Sequence, residues 1–287
     1  MPKFDPPLTD GEIHAATPGA YVRAEPLVAG GQGTVFRVFR RDGSVGALKI
    51  YVPDPSAELE ERTAREVDAL QHVVRETMVR LDSHGTITVR GQHCRFVCTT
   101  FIEGVTLAAR LQPVGTAMGI DEVARVGYDI ADAIEGLWAR PHRIVHRDIK
   151  PPNVMLATSG RAVLIDLGVA RHTALDSLTI TGGTWGTQGY MSPEQALGRK
   201  ALTCKSDVFT LGVMLQQCLT GRHPTNGNQR LLVTGALPQT RVVAPGVPDE
   251  VGRVIDSMIV VDANRRPMPG AIMAALAEHA RVTGRPW

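Results

Sequence analysis

Residues 146–153 read His-Arg-Asp-Ile-Lys-Pro-Pro-Asn, and the spacing of their polar side chains governs how the rest of the chain is read. An aspartate on a loop, here Asp148, can accept the proton of an attacking hydroxyl. Lys150, two residues on, can reach a phosphoryl group in motion, and Asn153 can hold a metal ion. Asp166-Leu167-Gly168 follows, with its carboxylate thirteen residues after Asn153. A carboxylate in a tight turn suits a magnesium ion bridging phosphates, because this hard cation keeps waters and binds through few protein oxygens.

The remaining composition sets limits. At 287 residues and 43% hydrophobic content the chain can bury a sizeable core. Its formal charge is +2, from 31 basic and 29 acidic side chains, which gives no reason to expect nucleic acid or a membrane surface as a main partner. None of the four cysteines forms a CxxC pair. Cys94 and Cys98 would share one face of an alternating strand and read as buried thiols rather than a metal or disulfide site. Neither an apolar leader nor a run of about 18 apolar residues is present, so a soluble protein of a reducing cytoplasm is expected.

Along the chain, residues 1–20 are rich in Pro, Asp and Thr and read as an extended lead-in. Short β-type runs fill 21–52, and Leu59, Thr63, Val67, Leu70 and Val74 recur at helical steps. Two further strands are expected at 86–90 and 95–101. Beyond Gly104, Val123, Val126, Ile130, Ile134 and Leu137 mark a long amphipathic helix that Asp121 could cap. More helices are expected at about 206–220, 249–260 and 270–282. The sum is an α+β layout, a β-rich lobe over 21–102 followed by a helical lobe over 103–287.

Together the His146–Asn153 run, Asp166-Leu167-Gly168 and Met191-Ser192-Pro193-Glu194 make the chain similar to the eukaryotic-type Ser/Thr protein kinases, most nearly the bacterial ones. The resemblance implies a two-lobed kinase fold, ATP with Mg²⁺ (or Mn²⁺) as cofactors, and Asp148 and Lys150 as catalytic residues. It implies Asn153 and Asp166 as metal ligands. The nucleotide set it implies begins with the glycine-rich stretch Leu27, Val28, Gly30, Gly33 and Val35, where Val28 replaces the usual Gly and would stiffen the loop. Lys49 in Ala47-Leu48-Lys49 would hold phosphates, partnered by Glu66 rather than Glu60 or Glu61, while Ala47 and Val35 cover the adenine. Thr99 would stand beside the adenine, the backbone of Thr100, Phe101 and Ile102 would bond it, and Met155 completes the set.

The same resemblance assigns supporting roles. Asp207 would steady the catalytic loop, and Glu194 would pair with Arg266 in preference to Arg265. Arg147 would receive a phosphate placed on Thr179 or Thr181, with Thr184 and Ser177 as weaker candidates, and Thr187 would contact Asp148 and Lys150. Leu167, in place of the usual Phe, would still fill an apolar site. Protein Ser/Thr hydroxyls are the implied substrates, with a kinase-domain dimer possible for phosphorylation in trans. A nucleotide-binding pseudokinase scaffold and a small-molecule kinase of related fold are the alternatives. Either a free cytoplasmic kinase or a domain of a longer protein fits the sequence.

Overall fold

The computed structural model describes residues 4–30, 33–53, 57–141, 143–167, 189–199 and 201–280. The chain divides into two compact units, Met1–Val74 with Val79–Ile102, and Arg75–Met78 with Glu103–Trp287.

In the first unit five antiparallel strands pair in the order β1-β2-β3-β5-β4. They are β1 (Arg23–Gly30), β2 (Gly33–Phe39), β3 (Val45–Tyr51), β4 (Leu81–Val89) and β5 (Gln92–Thr100). Two-residue alternation sends Phe36, Val38, Leu48 and Ile50 to one face, where they form a core with Cys94 and Cys98. All four cysteines are free and buried, among them Cys94 and Cys98 as expected.

The lead-in is not extended. Residues Asp10–Ala16 form a helix, α1, and Leu8 and Ile13 enter the sheet's core. Seven residues make too short a helix to stand alone in water. Burial of Ile13 and a capping box supply what propensity cannot: the Thr9 hydroxyl accepts from the Glu12 N–H, and the Glu12 carboxylate accepts from the Thr9 N–H at 2.8 Å. Arg90 then clips the segment down, donating to Glu12 at 2.6 and 3.1 Å and to the carbonyls of Pro6 and Pro7. That guanidinium, with the Thr9 backbone, holds the Glu12 carboxyl down at about 2.

Helix α2 (Ala57–His72) carries the periodic stripe, with Thr63, Val67 and Leu70 buried. Val74, expected on that stripe, lies past the helix end and is 76% exposed.

The second unit is mainly helical. Its helices are α3 (Leu107–Arg110), α4 (Ile120–Trp138), α5 (Pro193–Ala196), α6 (Cys204–Thr220), α7 (Arg230–Thr234), α8 (Thr240–Val243), α9 (Asp249–Met258) and α10 (Pro269–Leu276). Helix α4 packs against α6 and α10, and its five marker residues, Val123 to Leu137, are all completely buried. Its N-cap is Gly119 rather than Asp121, which sits in the first turn. Glu122 takes the capping role by accepting from the Gly119 N–H at 2.8 Å. A small sheet, β6 (Gly104–Thr106), β7 (Val154–Ala157) and β8 (Ala162–Leu164), lies in this unit. Asp132 on α4 ties Arg75–Met78 to it by accepting from Arg75 and from Thr77. The last helix ends at Leu276, six residues before the expected 282, so α10 is shorter than its pattern promised.

Candidate active site

In the first unit, strand register gathers the proposed nucleotide residues. Val35 pairs with Lys49 and Arg37 with Ala47, while Ala47 also pairs with Thr99. Directly paired residues point to the same side of a sheet, so Val35, Ala47, Lys49 and Thr99 share the face opposite the core. Val28, paired with Val35, joins them, and Leu27 sits at a bulge where the β1–β2 register shifts. Gly33 has a packing reason for its identity: a Cβ there would lie 2.3 Å from the Ile50 carbonyl oxygen. Gly30 ends β1 opposite Gly33.

Glu66 is buried on α2 and accepts a hydrogen bond from the Tyr51 hydroxyl. Tyr51 stands two residues after Lys49, on the same face, with the Lys49 ammonium 5.0 Å from its ring centroid. Sequence reading missed Tyr51, although period-two alternation from Lys49 points to it. Glu60 is exposed and pairs with Arg95, which leaves Glu66 as the buried carboxylate of this helix among the described side chains. Of the three residues expected to bond adenine through their backbone, Thr100 donates its N–H to the Arg80 carbonyl and Phe101 donates to Val45, while the Ile102 N–H has no backbone acceptor among the described residues.

In the second unit the His146–Asn153 run forms a loop followed by a 3₁₀ turn at Pro151–Asn153. Lys150 Nζ lies 2.9 Å from the Asp148 carboxylate. The Asn153 amide nitrogen donates both to the Asp148 carbonyl, at 2.8 Å, and to its carboxylate, at 3.2 Å. That leaves the Asn153 amide oxygen as the atom able to meet a cation. The Ile165 N–H donates to the Asn153 carbonyl at 3.0 Å, which brings Asp166 alongside Asn153 in the chain trace. No cluster of three or more His, Cys, Asp or Glu suited to a metal occurs among the described residues. An amide oxygen plus one carboxylate nevertheless fits a hard divalent cation such as Mg²⁺, whose remaining positions would be left to phosphates and water. Leu167 is buried, as an apolar site requires, and Met155 stands on β7 between the buried Val154 and Leu156.

Arg147 adopts φ +70°, a left-handed conformation costly for a side chain with a Cβ. Three contacts hold it there. Asp207 accepts the N–H of His146 on one carboxylate oxygen and the N–H of Arg147 on the other, and Gln195 donates to the Arg147 carbonyl at 2.9 Å. Gln195 went unnoticed in the sequence, yet it lies three residues after the N-cap Ser192, the spacing of a capping box. Burial pushes Asp207 up to about 7 against the pull of those two N–H groups, and burial pushes His146 down to about 4.

Glu194 meets Arg266 in a two-pronged pair at 2.7 and 2.9 Å. Arg266 spends its other three N–H donors on the carbonyls of Val260, Val261 and Lys205. Burial raises the Glu194 carboxyl, but bonds from Arg266 and Ser206 outweigh it and leave the group below its ordinary value. Arg265 is exposed. Gly168, Ser177, Thr179, Thr181, Thr184 and Thr187 lie outside the described residues.

A family described as "Protein kinase domain" matches residues 21–279. The serine/threonine-protein kinase PknD of Mycobacterium tuberculosis is 32% identical over 274 residues, covering 92% of this chain and 40% of its own length. The DNA damage-responsive serine/threonine-protein kinase RqkA of Deinococcus radiodurans is 34% identical over 288 residues, covering 96% of this chain and 41% of its own. The chain thus spans about two fifths of the length of these relatives. Among solved structures, the PknI kinase domain of Mycobacterium tuberculosis superposes with a TM-score of 0.67 at 18% identity. That likeness covers 91% of this chain and 97% of the other, and concerns the fold.

Proposed function

Because the chain belongs to the protein kinase family, we propose that it transfers the γ-phosphoryl group of ATP to Ser and Thr hydroxyls of proteins. The observation that carries this reading is the Lys150–Asp148–Asn153 arrangement, in which one carboxylate meets an ammonium at 2.9 Å and an amide nitrogen at 3.2 Å. Asp148 orients the accepting hydroxyl and takes its proton, a contribution of about 10²–10⁴-fold in this class of catalysis. Lys150 sets positive charge beside the oxygen that attacks. A divalent cation on the Asn153 oxygen and Asp166 would neutralise phosphate charge as it shifts to the leaving group. Mg²⁺ is the proposed ion, with Mn²⁺ as the substitute.

Lys49 holds the α- and β-phosphates and Glu66 orients it, while Tyr51 fixes Glu66. Val28, Val35, Ala47 and Thr99 cover the adenine, and the free N–H of Ile102 donates to it. Thr179 and Thr181 are the proposed autophosphorylation sites, with Arg147 the receiver, and Thr187 contacts Asp148 and Lys150. Phosphorylation in trans within a kinase-domain dimer and a cytoplasmic location complete the reading. No helix among the described residues is long and apolar enough to cross a membrane.

The test is transfer of labelled γ-phosphate from ATP to casein, with phosphoamino-acid analysis of the product. Phosphoserine and phosphothreonine formed by the wild type and lost in Lys49→Met support the proposal. Label on small aminoglycosides but not on protein would replace it with a small-molecule kinase.

A further inference from the structure

Beside the catalytic lysine lies a cleft of about 430 Å³ whose walls include Leu111, Val114, Pro151, Tyr190, His223 and Lys150 itself. Among the described residues no Asp or Glu lines it. Its frame is fixed by backbone contacts. The Gly115 N–H donates to the Gly221 carbonyl at 2.9 Å and the Met118 N–H to the Cys218 carbonyl at 2.8 Å, which pins the loop after α3 to the end of α6. Gly221, at φ +66°, leaves room for that approach, since a Cβ there would lie 2.4 Å from the Gly115 carbonyl carbon.

On the opposite wall the Tyr190 ring meets His223 edge-on at 4.7 Å between centroids, and its hydroxyl donates to Gln217. Burial pushes His223 down to about 4, so the imidazole is neutral near pH 7. Lys150 is therefore the cleft's one charged wall among the described residues, and its ammonium faces Asp148.

A polypeptide that presents a hydroxyl to Asp148 passes this cleft, because Lys150 belongs to both. A side chain entering it meets aliphatic and proline walls, the uncharged Gln112, Gln217, Tyr190 and His223, and one cation. Arg or Lys there would lose water without gaining a counter-charge and would be repelled by Lys150. A Leu, Met or Val side chain would gain burial at no electrostatic cost.

We propose that this cleft selects an uncharged apolar residue at one fixed position flanking the phosphorylated Ser or Thr, and excludes Arg and Lys from it. The proposal rests on the protein-kinase reading and names the class of substrate that reading leaves open.

The test uses peptide pools with a central Ser/Thr and one flanking position fixed at a time, phosphorylated by the purified chain with Mg-ATP. At one position Leu, Met or Val should exceed Arg and Lys by at least about tenfold in kcat/KM, the discrimination typical of an apolar pocket. Val114→Glu and, separately, Gln112→Glu should each raise Arg at that position by about tenfold. Val114 is 69% exposed, so the folded chain tolerates the change. Flat selectivity, or selection of a charged residue in the wild type, would overturn the proposal. So would apolar selection that neither variant shifts, because the selecting pocket would then lie elsewhere. No phosphate on any pool would instead overturn the kinase reading on which the proposal stands.

Discussion

Asp207 holds the backbone N–H groups of His146 and Arg147 on its two carboxylate oxygens, both at 2.8 Å, from sixty residues away in sequence. An Asn there would place an amide nitrogen against one of those N–H donors. Asp207→Asn should therefore free Arg147 from its left-handed backbone, cost about 1–3 kcal/mol of stability and lower kcat with little change in KM for ATP. Urea unfolding and steady-state kinetics check both halves.

The same pair of residues sets a pH dependence. His146, pushed by burial to about 4, contributes stability that is complete above its unfolded value of 6.5 and lost as pH falls towards 4. Asp207, raised to about 7, acts in the opposite sense: its contribution is present below 3.8 and lost as pH rises through about 7. The two slopes offset one another in the wild type. His146→Phe removes one of them. Its stability relative to wild type should rise by up to about 3 kcal/mol between pH 7 and pH 4, read from urea midpoints.

Glu194 pairs with the buried Arg266, all five of whose guanidinium N–H groups are used. Arg266→Ala should cost about 3–5 kcal/mol, because it strands a largely buried carboxylate and three carbonyls. Arg266→Lys should recover little, since an ammonium cannot bond two carboxylate oxygens in parallel. Thermal unfolding of the two variants decides this.

Ile13 of α1 is completely buried in the core of the first unit. Ile13→Ala should lower stability by about 2–5 kcal/mol, the usual range for emptying a core site. A change near zero in denaturant unfolding would mean that α1 does not stay docked.

How much of this was legible in the sequence differs by element. The His146–Asn153 run, Asp207, Glu194 and Arg266 were readable because they match motifs of the family that the sequence resembles. The stripe of α4 was readable because five apolar residues keep helical period and all face the core. Helix α1 was not, because Pro6, Pro7 and Asp10 mask it compositionally. Its signal was the Thr9-to-Glu12 spacing before Ile13, and its stability comes from Arg90, a residue seventy-eight positions from Glu12. Spacing places Tyr51 on the face of Lys49 and Gln195 at a capping position, but their partners Glu66 and the Arg147 carbonyl appear only in the folded chain. The bonding of Thr100 and Phe101 also depends on partners at Arg80 and Val45, so which N–H stays free emerges only in three dimensions.

The most direct measurement of the central claim is intact mass with phosphopeptide mapping. Phosphatase-treated wild type and Asp148→Asn are incubated with Mg-ATP side by side. The account predicts added phosphate on Thr179 or Thr181 in the wild type, with the Asp148→Asn rate lower by about 10²–10⁴-fold. Equal incorporation in both proteins, or none in the wild type either on itself or on casein, would contradict it.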